Sequence, residues 1–367
     1  MSSTANEEQM FSSYYEELAT DHLGPLWINL KQMVTKEPVH DVAAYLWKWE
    51  TIRKHVLKSG VLPLGREAER RVVYLQNPSL INKGLIGYAT NTLYAGIQLL
   101  LPDEVAPAHR HTQSAIRFII EGEGAFTSVD GEKTYMERGD LILTPSWTWH
   151  DHGHEGSEPV IWMDGLDVGL VKNFAGSFYE PYPDDTYPLA EPDNGSTLRY
   201  AHGSYRPVSE RNKGGRRFPL LAYKWGNAKE TLDHLTQLGE SDPFDGYAID
   251  YINPSTGGSA DPRIGTTLQK LAPGMHTQAH RHVHSVVYHV MDGTGYTVIN
   301  GQKFEWTKGD FLVLPPWSWH EHVNVGSGDA YLFSINDRPV LEMLELEREQ
   351  AFVDNAGHQQ VNRIFTP

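Results

Sequence analysis

Two stretches of this chain space histidine in a way that suits metal chemistry. The first is His109-Arg110-His111, followed by Pro145-Ser146-Trp147-Thr148-Trp149-His150-Asp151-His152. The second is His280-Arg281-His282, followed by Pro315-Pro316-Trp317-Ser318-Trp319-His320-Glu321-His322. On an extended strand, residues i and i+2 share a face, so each pair presents two imidazoles to one side. A third histidine from a later strand, His150 or His320, completes a three-nitrogen face and leaves other coordination positions open to substrate. Three imidazoles suit iron, zinc, copper, nickel or manganese, so ligand type alone does not choose the metal. A single histidine is usually a satisfied core or surface residue, but two sets in register make that the lesser reading. A structural zinc generally takes four protein ligands, and here three are found.

Composition bounds the partners. The formal net charge of −16 disfavours nucleic acid and anionic membrane surfaces, which need concentrated positive charge. Cysteine is absent, so disulfides, iron–sulfur clusters and zinc–thiolate sites are excluded, and any metal falls to histidine and carboxylate. That fits a cytoplasmic protein. The polar, acidic N-terminus lacks a basic n-region and an apolar h-region, so no signal peptide is expected, and no membrane span either.

The elements that must position these histidines are mostly strands. Residues 6–58 read as helical, broken at Gly24-Pro25 and stopped at Ser59-Gly60, with Trp27, Trp47 and Trp49 as packing or interface residues. Arg66, Arg70 and Arg71 read, on composition, as a solvated charged turn. From Leu93 short apolar runs alternate with glycine and acidic turns, including Glu121-Gly122-Glu123-Gly124 and Asp130-Gly131, as in a sandwich or barrel. Residues 172–245 are irregular and rich in proline and glycine, after which the β pattern resumes. A final run, 339–352, has helical spacing. Gly122, Gly139-Asp140 and His150 recur as Gly293, Gly309-Asp310 and His320, a direct repeat too long for a solenoid. The expected domains are a helical arm (1–70), a first β domain (71–175), a connection (176–245), and a second β domain with a short C-terminal helix (246–367).

Both copies resemble the cupin pattern, a small jelly-roll β-barrel with its metal inside: H-x-H, then Gly122, Gly139, Pro145 and His150, and again Gly293, Gly309, Pro315, His320 and Asn324. The implied fold is mainly β, a bicupin. Many cupins add a glutamate ligand where this chain has Ala115 and Val286, so the pattern departs from oxalate-decarboxylase-like and germin-like bicupins. Across nearly the whole chain it resembles the gentisate 1,2-dioxygenase family, with its salicylate and 1-hydroxy-2-naphthoate dioxygenase relatives. The most specific segments are YAGIQLLLPDEVAPAHRHTQSAIRFIIEGEG and GDLILTPSWTWHDHGH.

That resemblance implies a homotetramer using Fe(II) and O2 to open gentisate between its carboxyl- and hydroxyl-bearing carbons, giving maleylpyruvate. It implies His109, His111 and His150 as iron ligands, and Arg117 facing the substrate carboxylate through its fork-shaped guanidinium. Arg70, Gln98 and Tyr94 match pocket positions, which lifts Arg70 out of the solvated-turn reading. His152 and Asp164 match outer groups suited to handling a phenolic proton, Asp164 having a salt bridge or turn cap as its plainer role. In the second copy Tyr288 stands at the position of Arg117, so catalysis is expected in the first, while His280, His282 and His320 form a possible second metal site. The alternatives are a salicylate or 1-hydroxy-2-naphthoate dioxygenase and, more remotely, a non-catalytic metal-binding bicupin.

Overall fold

The computed structural model describes residues 2–62, 70–201, 203–210 and 218–367, so Arg66 lies outside the described residues. Residues 1–39 form a unit of their own. It holds the helices Ser2–Thr20 and Leu26–Met33, separated at Gly24-Pro25. Trp27 is exposed and stacks on Tyr14, with centroids 6.4 Å apart. No described helix is long and apolar enough to cross a membrane.

From His40 onward the chain builds two β-barrels of two sheets each. In the first barrel the six-stranded sheet contains Tyr94–Leu100, Ala115–Glu121, Leu141–Thr144 and Val160–Leu166. Its five-stranded partner contains Val105–His111, Ala125–Val129, Glu132–Met136 and His150–His154. The second barrel repeats both sheets. At the tight turn of each, Asp130-Gly131 and Asn300-Gly301 have positive φ at both residues, as a two-residue hairpin matching strand twist requires.

Strand alternation decides what each face does. Ile97, Leu99, Ile116, Phe118, Leu143 and Met163 join Val287, Val313, Phe333 and Ile335 in one cluster, so the largest core lies between the barrels. Phe118 and Phe333 stack there at 3.9 Å. The intervening residues, among them Gln98, Arg117, Ile119, Ile142, Trp162 and Asp164, belong to the opposite face, which turns into the barrel. Polar residues are tolerated on that face because it lines the site.

The helical spacing over 40–58 is only partly realised. Tyr45–Trp47 is a strand and the helix runs Trp49–Ser59. The strand forms because Phe311–Leu314 offers it a sheet edge, pairing Tyr45 with Val313 and Trp47 with Phe311; tertiary pairing overrides local preference. Ala222–Tyr223 does the same for the first barrel, pairing with Leu141 and Ile142. Each barrel is therefore edged by the segment that precedes the other. A repeated clip locks the exchange. Asp140 accepts from Lys224 Nζ at 2.6 Å and from the Trp225 amide at 3.0 Å; Asp310 accepts from Lys48 Nζ at 2.7 Å and from the Trp49 amide at 2.8 Å. The neighbouring Gly309 has φ +92, and a Cβ there would lie 2.3 Å from Trp49 Cγ, so the indole packs where only glycine leaves room. Asp140→Ala strands the amides of Trp225 and Glu137 and the Lys224 ammonium, and is expected to cost about 3 kcal/mol, read as a lowered thermal midpoint.

The C-terminal helix is short, Arg338–Met343. Glu345 sits at φ 59, which ends helical continuation, and Glu349–Ala351 instead pairs with His280–His282. The predicted helical run past 343 yields to that open strand edge.

Candidate active site

The three first-barrel histidines come from two paired strands. His109 and His111 sit on Val105–His111, and His150 lies directly across from His109. Their ring centroids are 4.2 to 5.5 Å apart, and one ligand nitrogen from each lies within 4.8 Å of the others. Nδ1 of His109 bonds to the Pro107 carbonyl (2.8 Å), that of His111 to Gln113 (2.9 Å) and that of His150 to Thr148 (3.0 Å). This assigns the proton to Nδ1 in His111 and His150 and leaves Nε2 as their lone-pair donor, while at His109 both ring nitrogens also meet the Arg70 guanidinium. Burial, aided by the Arg70 charge, holds His109 down to about 2 and His111 down to about 4; burial holds His150 well below its ordinary value too. All three are neutral, the form that ligates. His150 Nε2 is buried without a partner among the described residues, so the donor set fits a metal ion.

The residue between the two histidines is part of the scaffold. Arg110 lies between the rings of Trp147 and Trp149, 4.5 and 4.4 Å from their centroids, and pairs with Glu180 at 2.6 Å. Arg281 repeats this with Trp317 and Trp319. The clamp ties the strand carrying His109 and His111 to the turn that delivers His150. Trp147 takes φ 63 to make it, an unusual conformation for a bulky residue, fixed by its amide donating to the His111 carbonyl at 2.8 Å.

Arg117, 1% exposed, faces the barrel interior. Its Nε is 3.1 Å from Asp164 Oδ1, and its Nη1 donates to Thr144 Oγ1. Trp162 Nε1 also donates to Asp164, at 3.0 Å. The salt-bridge alternative for Asp164 is thus present in the geometry, with the carboxylate fixing the guanidinium. Burial lowers Arg117 to about 10, with Asp164 opposing, so it stays charged at neutral pH. Arg70 is also brought to the triad, where its Nη2 lies 2.7 Å from His109 Nδ1 and also against Nε2. Arg71, its neighbour, pairs with Glu104 outside the site.

Gln98 is fully buried, and neither its amide nitrogen nor its oxygen has a partner among the described residues. Leaving both unmade costs about 1–3 kcal/mol each, so the amide marks a place for a polar ligand. His152 shares the inward face with His150; its Nδ1 meets Thr127 Oγ1 at 3.0 Å and its Nε2 has no partner among the described residues. Tyr94, at the start of the strand that carries Gln98, lies over Gly96, its hydroxyl pushed up by burial. Sequence reasoning missed Thr127, Thr144 and Trp162. For Trp162 the available signal was its inward parity on the strand carrying Asp164; Thr127 and Thr144 stand on strands with no predicted site residue, opposite His152 and beside Arg117's strand, a placement that only the pairing reveals.

A cupin-domain profile matches residues 96–168 and 267–336. Gentisate 1,2-dioxygenase 1 of Aquipseudomonas alcaligenes is 41% identical, over 92% of this chain and 95% of its own length. The 5-aminosalicylate 1,2-dioxygenase of a Comamonas species is 38% identical, over 96% and 93%. Among solved structures, salicylate 1,2-dioxygenase of Pseudoaminobacter salicylatoxidans, described with gentisate adducts, superimposes with a TM-score of 0.84 at 33% identity over 93% of each chain. With two cupin barrels and this likeness over nearly its whole length, the chain belongs to the gentisate 1,2-dioxygenase family of bicupin ring-cleaving dioxygenases.

Proposed function

We propose that the first barrel opens gentisate, 2,5-dihydroxybenzoate, with Fe(II) and O2 to give maleylpyruvate. The observation that carries this reading is Arg117, a buried and charged guanidinium beside a three-histidine face. A 2-hydroxybenzoate needs a cation for its carboxylate and a metal for its chelating oxygens, and this pocket offers both. His109, His111 and His150 would hold the iron, which when bound supplies Lewis acidity toward the phenol and a redox path from ring to dioxygen.

The side chains do the remaining work. Arg117, held by Asp164 and Thr144, grips and orients the carboxylate; Arg70 swings from His109 to the same anion. The Gln98 amide hydrogen-bonds a ring substituent, and Tyr94 bounds the pocket. His152 Nε2 accepts the phenolic proton, with Thr127 fixing its tautomer, while Asp164 acts by positioning Arg117. Both oxygen atoms enter the product as the bond between the carboxyl- and hydroxyl-bearing carbons breaks. The same reading makes the working form a homotetramer, supported by exposed apolar side chains such as Met10, Phe11 and Trp27.

Gln98→Leu is expected to lower kcat/KM roughly tenfold to a hundredfold, as loss of about 1–3 kcal/mol of hydrogen bonding implies. Thermal stability should not fall, because the amide has no partner among the described residues. Substrate choice is tested by comparing kcat/KM for gentisate, salicylate and 1-hydroxy-2-naphthoate under air, with mass analysis of the ring-opened acid. Gentisate should lead; a clear preference for either other acid overturns the assignment.

A further inference from the structure

Alternate residues of a strand face opposite ways, so in His320–Asn324 the histidines His320 and His322 turn into the second barrel and Glu321 turns out. Inside, His320 lies with His280 and His282, their ligand nitrogens within 4.8 Å of one another. Outside, Glu321 meets two further histidines. Its Oε2 lies 3.1 Å from His276 Nε2 and 2.9 Å from His358 Nδ1, and the centroids of the two rings are 4.0 Å apart. His276 is bridged to Val323, and His358 arrives on the segment that follows the edge strand Glu349–Ala351. The Gly357 carbonyl accepts from the Ala279 amide at 2.7 Å, which fixes the backbone just before His358.

The first barrel shows how much of this the fold itself requires. There Val105 pairs with Gly153, the register that His276 and Val323 keep in the second barrel. Asp151 stands where the second barrel has Glu321, and it accepts from the Tyr187 amide at 2.8 Å. Glu321 does the same work with one oxygen, Oε1 accepting from the Gln359 amide at 2.9 Å. Its Oε2 is surplus to that clip, and two imidazoles converge on it. The first barrel manages with an exposed valine in place of His276.

Two imidazoles and a carboxylate suit a borderline cation, zinc above all, with a fourth position left to water. At Zn–N and Zn–O lengths of roughly 2.0–2.2 Å, tetrahedral angles set ligand atoms about 3.3–3.6 Å apart. The separations of 2.9 and 3.1 Å fall a few tenths short of that, so small side-chain shifts admit the ion. Glu321 is 1% exposed, whereas the side chains of His276 and His358 are 39% and 31% exposed. The carboxylate is thus anchored in advance, and the ion enters from solvent with only two side chains to settle. Without metal, an N–H of each ring satisfies Oε2; on binding, that proton passes to the other ring nitrogen and the freed lone pair ligates.

We propose that His276, Glu321 and His358 form a zinc site on the outside of the second barrel, stapling the segment 352–359 to the barrel wall. The proposal does not depend on the reaction carried out in the first barrel.

The test dialyses the full-length protein against micromolar Zn(II) and counts zinc per chain by mass spectrometry in the unmodified protein, His276→Ala and His358→Ala. Zinc held inside the barrels is common to all three, so the unmodified protein should carry one zinc more than either variant. Glu321→Gln, which keeps an oxygen for the Gln359 amide, should weaken retention of that zinc against a chelator about tenfold or more. With zinc at about ten times its dissociation constant, amide hydrogen exchange over 352–359 should slow about tenfold in the unmodified protein and stay unchanged in His358→Ala. Equal zinc counts in the three proteins, or a difference that emerges only at millimolar zinc, overturns the site. Undiminished retention in Glu321→Gln overturns that residue as a ligand. Unaltered exchange over 352–359 in the unmodified protein overturns the staple, and that measurement needs no variant to fold.

Discussion

Arg117→Leu is expected to lower kcat/KM for gentisate by roughly a thousandfold with iron content unchanged, since losing one partner of a buried charge pair costs about 3–5 kcal/mol. The guanidinium is 1% exposed and already oriented by Asp164 and Thr144, so the protein has borne its desolvation before substrate arrives. A lysine could not reproduce the planar, two-pronged grip. The substitution also leaves the buried Asp164 carboxylate with Trp162 Nε1 as its hydrogen-bond donor and without its ion-pair partner. Thermal stability should therefore fall, and a second change, Asp164→Leu, should restore much of it without restoring turnover. Steady-state kinetics beside thermal denaturation separates the two effects. Full turnover in Arg117→Leu would remove the reason for an aromatic acid to bind in this barrel.

His150→Ala is expected to empty the first barrel of iron and reduce turnover by well over a hundredfold, because loss of a ligand exceeds the about 10–100-fold cost of losing a ligand's hydrogen-bond partner. Among the described residues His150 completes the face opened by His109 and His111, from the directly opposite position on the neighbouring strand. The Arg110 clamp on Trp147 and Trp149 should survive, so the fold should too. Iron analysis with oxygen-uptake kinetics checks the result. Retained turnover would place the chemistry in the second barrel.

Much of this was legible in the sequence, for identifiable reasons. The period-two rule placed His109 with His111 and His150 with His152, because a strand leaves a side chain no third direction. Glycine at 131 and 301 marked the tight turns, where positive φ restricts the choice of residue. The family likeness supplied Arg117 and Gln98, and their inward parity agrees with it. The strand at Tyr45–Trp47 was hidden, because helical spacing in 40–58 is local information and the partner edge lies some 260 residues away. Its one trace was the Lys-Trp dipeptide at 48–49, recurring at 224–225. The strand at Glu349–Ala351 was hidden for the same reason. Arg70 resembled a solvated turn because composition cannot see a pocket.

The account stands most directly on oxygen uptake by the His320→Ala protein loaded with Fe(II) and offered gentisate in air. This variant keeps the first-barrel triad of His109, His111 and His150 intact and breaks the second. The account predicts one O2 consumed per gentisate, at a rate close to that of the unmodified protein. Absence of uptake with gentisate, salicylate and 1-hydroxy-2-naphthoate alike, in a folded protein that retains first-barrel iron, would contradict it.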